Sequence, residues 1–414
     1  MRLRGLLPES VQTRGHSSPL TGASRLVYLR ITLAAAYVSG ILLSLRLWFG
    51  VGRSFPRLPL VNGVPAFYSS AEYLLSILVL AALVLSVFSR LRRYPVAVVV
   101  LAALLVLFDL TRLQPWVYQY VLMLGVLACL KPTEANSDET EVTSPILAAN
   151  QLIVAFLYFW SGTQKLNWTF RHEVLPRLLE STGIHLPAAF LSYLPAVGVA
   201  IAGGEALIGL ALMIRRTRRT AVVFAVGLHF MVLILLLVAR RNSVVWPWNL
   251  AMITMVVLLF WRYDLSLASK EIWRWRVPNL ASHLPQAAVL ICGLVPALSF
   301  VGWWDIYLSG ALYSGNTPVA VVRITDRVRE QLPIVAQQQI FKTGRGELML
   351  PFYEWSLADL NVPPYPEVRA YRQLARRLCA YADDQAEIEL IVKERPSLID
   401  GSYRVNRFGC PDLP

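Results

Sequence analysis

The chain has 414 residues, 56% of them hydrophobic, a mean hydropathy of +0.51 and a formal net charge of +13. That much apolar surface excludes an ordinary soluble protein. The arginines fall in short loops between apolar runs, without a basic stripe interleaved with aromatics, so the charge reads as a topology signal and no nucleic-acid partner is expected.

The opening stretch, MRLRGLLPESVQTRGHSSPL, is basic but has no apolar core before residue 26, so it is not a cleaved signal peptide. Nine apolar runs follow, at about 27–49, 66–88, 95–110, 115–131, 146–163, 194–213, 220–239, 246–261 and 285–302. Several approach the ~20 residues that cross a ~30 Å hydrocarbon layer. Helices are the expected spanning form, because each satisfies its own backbone, and the strand alternation of an outer-membrane barrel is absent over 20–300. In the sixth run, LPAVGVAIAGGEALIGLALM, Pro195 and Gly203-Gly204 are expected to kink the helix or admit a close neighbour.

Arginine placement sets the orientation. Residues 1–26, SRLRRY (89–94), RRTRR (215–219) and 262–284 are basic, and PTEANSDETEVTS, within 132–145, is acidic. These alternate segments lie on one side, which the positive-inside rule makes the cytoplasm. Nine spans then place the C-terminus outside, and a bacterial inner membrane is the expected location. The tail changes character. TPVAVVRITDRV reads as a strand running into a helix, YPEVRAYRQLARRLCAYADD has helical spacing, and AEIELIVKE alternates like a strand. The expected fold is therefore an all-α polytopic bundle over 27–302, preceded by a cytoplasmic segment (1–26) and followed by a small extracytoplasmic α/β domain (303–414). Cys379 and Cys410 both lie in that domain, as a disulfide or as two free thiols. No CxxC or Cys/His cluster occurs, so no zinc or iron–sulfur site is expected.

Charged groups inside spans are costly and often functional. Arg30 and Arg46 can snorkel from the first run, and Asp109 with Arg112 can close a turn as an ion pair. Gln119 lies one turn into the fourth run and Lys165 ends the fifth, both toward the outside. Glu205 and His229, counted inward from RRTRR, reach nearly equal depth on neighbouring antiparallel helices, where they can share a proton as a structural pair or as part of a buried site. Trp116, Trp160, Trp168, Trp246, Trp248, Trp303 and Trp304 crowd the outer rim as an aromatic belt, a subset of which can line a quinone-sized cleft.

LIVAFLYFWSGTQKLNWTF resembles the core motif of the vitamin K-dependent γ-glutamyl carboxylases and the wider horizontally transferred transmembrane (HTTM) group, through Tyr158, Phe159, Ser161, Gly162, Lys165, Leu166 and Trp168. GGEALIGLALMIRRTRRTAVVFAVGLHFMVLILL, RNSVVWPWNLAMI and QPWVYQYVLML resemble other blocks of that group, and DoxX-like membrane proteins share part of the pattern. The resemblance covers about residues 25–300. It implies that Lys165 is a catalytic base that deprotonates a quinol such as vitamin K hydroquinone. Glu205 and His229 would assist, and Gln119, Gln164, Trp116 and Trp168 would line the site of a quinone-like or peptide substrate. A partly buried amine suits that task, because desolvation disfavours its charged form. Gln164 stands where the carboxylases have a first lysine and Gln119 where they have a histidine, and a glutamine can be neither base nor proton carrier. The alternative is a non-catalytic membrane assembly or maturation factor, or a subunit of a membrane complex, with the tail holding a protein or peptide partner. A transporter or redox subunit has less support, since the chain lacks inverted repeats and a haem or metal ligand set.

Overall fold

A computed structural model of the chain describes residues 20–60, 69–89, 91–130, 140–183, 187–240, 242–262 and 283–413. Residues 1–19, 131–139 and 263–282, which hold most of the N-terminal segment, the acidic loop and the last basic loop, lie outside the described residues, as does Arg90 within SRLRRY.

Apolar helices occupy all nine runs. They are α1 (Gly22–Leu43, continued after Ser44 by the short α2, Leu45–Phe49), α3 (Ser69–Phe88), α4 (Arg93–Phe108), α5 (Pro115–Leu127), α6 (Thr140–Lys165), α9 (Leu194–Met213), α10 (Arg218–Ala239), α11 (Val245–Phe260) and α12 (Leu284–Gly293, prolonged by 3-10 turns to Val301). Between α6 and α9 lie a π-helical turn (Phe170–Val174) and two short helices, α7 (Leu175–Glu180) and α8 (Ala188–Leu191). Among the described residues, six segments are long and apolar enough to cross a bilayer: α1, Ser70–Phe88 of α3, Pro145–Lys165 of α6, α9, α10 and Leu284–Val301. The chain is thus an integral membrane protein. Helices α4, α5 and α11, at 16, 13 and 16 residues, fall short of that length.

The tightest seam joins α6 to α9. A Cβ on Gly162 would come within 2.3 Å of the Ala206 nitrogen, and one on Gly209 within 2.5 Å of the Ala155 carbonyl oxygen. Gly198, Ala202, Ala206 and Gly209 form the buried stripe of α9, the small-residue face on which two backbones can touch. Gly203 and Gly204, expected to make that approach, face away, with no atom within 4 Å of their Cβ positions. Pro195 sits in the first turn of α9, where its missing N–H costs nothing.

The tail forms a five-stranded antiparallel sheet in the order β2-β3-β1-β4-β5. Its strands are β1 (Val319–Ile324), β2 (Phe341–Lys342), β3 (Leu348–Pro351), β4 (Ile388–Lys393) and β5 (Val405–Gly409). The helices α13 (Asp326–Gln331), α14 (Ile334–Gln337), α15 (Phe352–Leu360) and α16 (Val368–Leu378) complete it. Cys379 and Cys410 are joined by a disulfide, pinning the end of α16 to the turn after β5. One apolar core runs from the bundle into this sheet. The joint is also polar. Asp359 of α15 accepts from the backbone N–H groups of Ser54 (2.7 Å) and Phe55 (2.6 Å) and from Arg46 (3.0 Å), and Asn361 donates to the Leu43 carbonyl (2.9 Å).

Asp109 and Arg112 do not pair with each other as expected. Asp109 pairs with Arg53, and Arg112 donates to Glu72 (3.1 Å), which also holds Arg57 (2.7 Å). Arg112 is wholly buried and also donates to the Leu47 and Leu105 carbonyls, so every charge in this network has a counter-charge or a backbone partner.

Candidate functional site

Tyr158, Ser161 and Lys165 are spaced i, i+3, i+7, which puts them on one face of α6. The Gly162 contact brings that face onto α9, where Glu205 borders the small-residue stripe. Lys165 Nζ donates to Glu205 Oε2 at 2.8 Å, to Ser161 Oγ at 2.6 Å and to the Ser161 carbonyl at 3.3 Å, so its three ammonium hydrogens all have acceptors. Each side chain of the ion pair is 12% exposed.

The pair lies deeper than the sequence suggests. Glu205 is eleven residues into α9, about 16 Å along its axis, and Lys165 meets it there. The N-terminal half of α9 is flanked instead by the chain after Lys165. Gly198 packs against Arg171 in the π-helical turn, a form that often marks functional positions. Asn167 holds this exit by donating to the carbonyls of Gln164 (2.7 Å) and Ser314 (2.9 Å) while its own oxygen accepts from Phe170 N–H (2.8 Å).

His229 does not bond to Glu205. Its Nε2 faces the Tyr158 hydroxyl at 2.6 Å and its Nδ1 faces Asn249 Oδ1 at 2.8 Å. The Asn249 amide nitrogen donates to the Val245 carbonyl (2.8 Å), which leaves its oxygen to accept from imidazole Nδ1–H. Nε2 is then the acceptor for the tyrosine hydroxyl, and the neutral tautomer is fixed. The result is an ion pair beside a Tyr–His–Asn relay, drawn from α6, α9, α10 and α11.

The other residues singled out by sequence lie apart from the pair. Gln164, though next to Lys165 in sequence, turns the other way. It donates to Ser299 Oγ (2.9 Å) and accepts from Asn316 (2.7 Å). Trp168 stacks on His172 with ring centroids 4.4 Å apart, and its backbone N–H donates to the Leu398 carbonyl of the tail (2.9 Å). Trp116 is buried among Tyr37, Trp48 and Tyr120. Gln119 accepts from Trp248 Nε1 at 2.7 Å, and its amide nitrogen faces methionine sulfurs. A small cleft borders Gln119, lined also by Tyr118, Phe156, Trp160, Cys292 and Ser309. Phe156 and Trp160 lie on the opposite face of α6 from Lys165, so the cleft and the ion pair are separate features. Tyr158, Ser161 and Asn249 complete the site without having been assigned roles from the sequence. The i, i+3, i+7 spacing marks the first two, whereas Asn249 carries no local signal. Among the described residues no group of three or more His, Cys, Asp and Glu side chains is placed to hold a metal ion.

Comparison with protein families, with curated proteins and with solved structures finds no match to this chain.

Proposed function

We propose that this integral membrane protein is an enzyme that takes a proton from a lipid-soluble acid of the hydroquinone type at the Lys165–Glu205 pair, as its resemblance to the carboxylases implies. The observation that carries the reading is the convergence of Lys165, Glu205, Tyr158 and His229, from three helices, inside an apolar bundle. Charged and titratable groups at such depth are expensive unless they serve a site. The pair gives a proton route. Glu205 takes a proton from the ammonium, and the freed amine accepts one from the substrate hydroxyl, so the protein gains one positive charge that stays beside the substrate anion. The fixed Tyr158–His229–Asn249 relay lies beside it as a second donor–acceptor chain. Access is lateral, between α9 and α10. The Cβ positions of Gly203, Gly204 and Gly227 have open space, and Phe230, next to His229, is 61% exposed. The tail disulfide favours an extracytoplasmic C-terminal domain, in agreement with the arginine pattern.

The test uses the full chain in lipid nanodiscs, supplied with ubiquinol, menaquinol or vitamin K hydroquinone and with dissolved oxygen as the oxidant, following quinol absorbance. Turnover that disappears in a folded Lys165→Ala variant supports the proposal. Wild-type rates equal to those of empty nanodiscs for all three quinols reject it and leave the assembly-factor reading in place.

A further inference from the structure

We infer that Met123, Met252 and Met255 form a binding site for a soft monovalent metal ion, Cu(I). The observation is an odd partnership at Gln119. Its amide nitrogen carries two hydrogens, and the acceptors within reach are three thioether sulfurs: Met252 at 3.3 Å, Met123 at 3.6 Å and Met255 at 3.9 Å. Thioethers are weak acceptors, and a buried amide donor ordinarily finds oxygen. The amide is not simply reversed, because its oxygen accepts a 2.7 Å bond from Trp248 Nε1.

Viewed from the sulfurs, the arrangement is a donor set. Three of the seven methionines in the chain turn their lone pairs on one positively polarised group, and all three are buried. Met252 and Met255 stand i, i+3 on one face of α11, and Met123 stands one turn beyond Gln119 on α5. The amide NH2 occupies the focus where a cation would sit. Neutral thioethers select Cu(I) over Zn²⁺, Ca²⁺ or Mg²⁺, which need imidazole, thiolate or carboxylate ligands, and a single charge is the least costly to bury. Methionine side chains are flexible enough to draw in around an ion smaller than the amide. Gln119 also walls the cleft that Cys292 lines, so a swing of this one side chain joins the cleft to the sulfurs. The cysteine thiol is then a soft ligand on the entry route.

The experiment uses the detergent-purified full chain, with copper held as Cu(I) by ascorbate in competition with the chelator bicinchoninate. Wild type and a C129S/C292S variant are expected to retain one copper per chain, and Met252→Leu/Met255→Leu to lose at least 100-fold in affinity. Leucine nearly conserves the volume, so the double variant is expected to fold. If it does not, Met123→Leu alone must lower affinity at least tenfold. X-ray absorption at the copper edge must show sulfur neighbours. Copper retention by the leucine variants equal to that of wild type, absence of binding in wild type, or loss of binding with the cysteines alone overturns the inference.

Discussion

Lys165 meets Glu205 at 2.8 Å because Gly162, three residues earlier in the chain, lets α6 lie directly on the backbone of α9. Close approach and ion pair are one design, and each half can be tested separately.

Removing one partner leaves a charge alone in a largely apolar place. Lys165→Met or Glu205→Met is expected to cost about 3 kcal/mol, whereas the double replacement recovers most of that loss. Thermal unfolding of the four proteins in detergent measures the coupling. A coupling near zero means that water screens the pair and the site is wetter than described.

The packing half is tested on glycines of one helix pair. Gly162→Ala pushes a Cβ into the Ala206 nitrogen and Ala202 carbonyl and is expected to destabilise by about 1–3 kcal/mol or more. Gly203→Ala, with empty space at its Cβ, is expected to stay within about 0.5 kcal/mol of wild type. Equal effects at the two positions would contradict the seam.

A pH dependence is expected where the tail meets the bundle. Glu367 lies against Asp305, which also accepts from the Tyr365 hydroxyl (2.7 Å) and Leu308 N–H (2.9 Å). Burial first, then the hydrogen bond to Asp305 and its charge, push the Glu367 carboxyl up to about 7, against 4.5 for the ordinary side chain. The folded protein therefore holds this proton more tightly than the unfolded chain. Its contribution to stability is complete below pH 4.5 and is lost as the pH rises through about 7. The melting temperature should fall between pH 5.5 and 8, and Glu367→Gln should flatten the curve. The exposed Asp400 carboxyl, held at about 2 by hydrogen bonds from Ser397 and Ser402, acts in the opposite sense but below this window. A wild-type curve flat over pH 5.5–8 would show that the two carboxyls do not share a proton.

The Cys379–Cys410 bridge closes a stretch of 31 residues, for which the chain-entropy model gives about 3–4 kcal/mol. Cys379→Ser/Cys410→Ser is expected to make the tail sheet protease-sensitive at a lower temperature while the bundle stays helical by circular dichroism. In intact cells, a membrane-impermeant maleimide should label these thiols only after reduction. Labelling without reductant would show that the bridge is not formed, and no labelling even after reduction would place the tail on the cytoplasmic side.

Much of the architecture is legible in hydropathy alone, because each apolar run is a local property of its segment. The polar site is legible in part. Tyr158, Ser161 and Lys165 share a face by spacing, but nothing local says that Glu205 turns to Lys165 while His229 turns to Tyr158 and Asn249. That choice is made by the rotation of α9 against α6, which Gly162, Ala206 and Gly209 set across about fifty residues of sequence. The depth of Lys165 is hidden for a related reason. The end of an apolar run looks like a membrane boundary, yet the chain after Lys165 folds along the N-terminal half of α9. The strands β2, β3 and β5 are short or too irregular to alternate visibly, whereas β4 and β1 carry the periodicity of a buried centre.

The clasp at Asp359 has a consequence for biogenesis. The amide hydrogens of Ser54 and Phe55 emerge from the ribosome some three hundred residues before the carboxylate that receives them. Until the last quarter of the chain is translated and folded, the first hairpin of the bundle must keep those donors wet. A chain truncated before α15 lacks the carboxylate that receives them, so closing this end of the bundle is among the last events of folding.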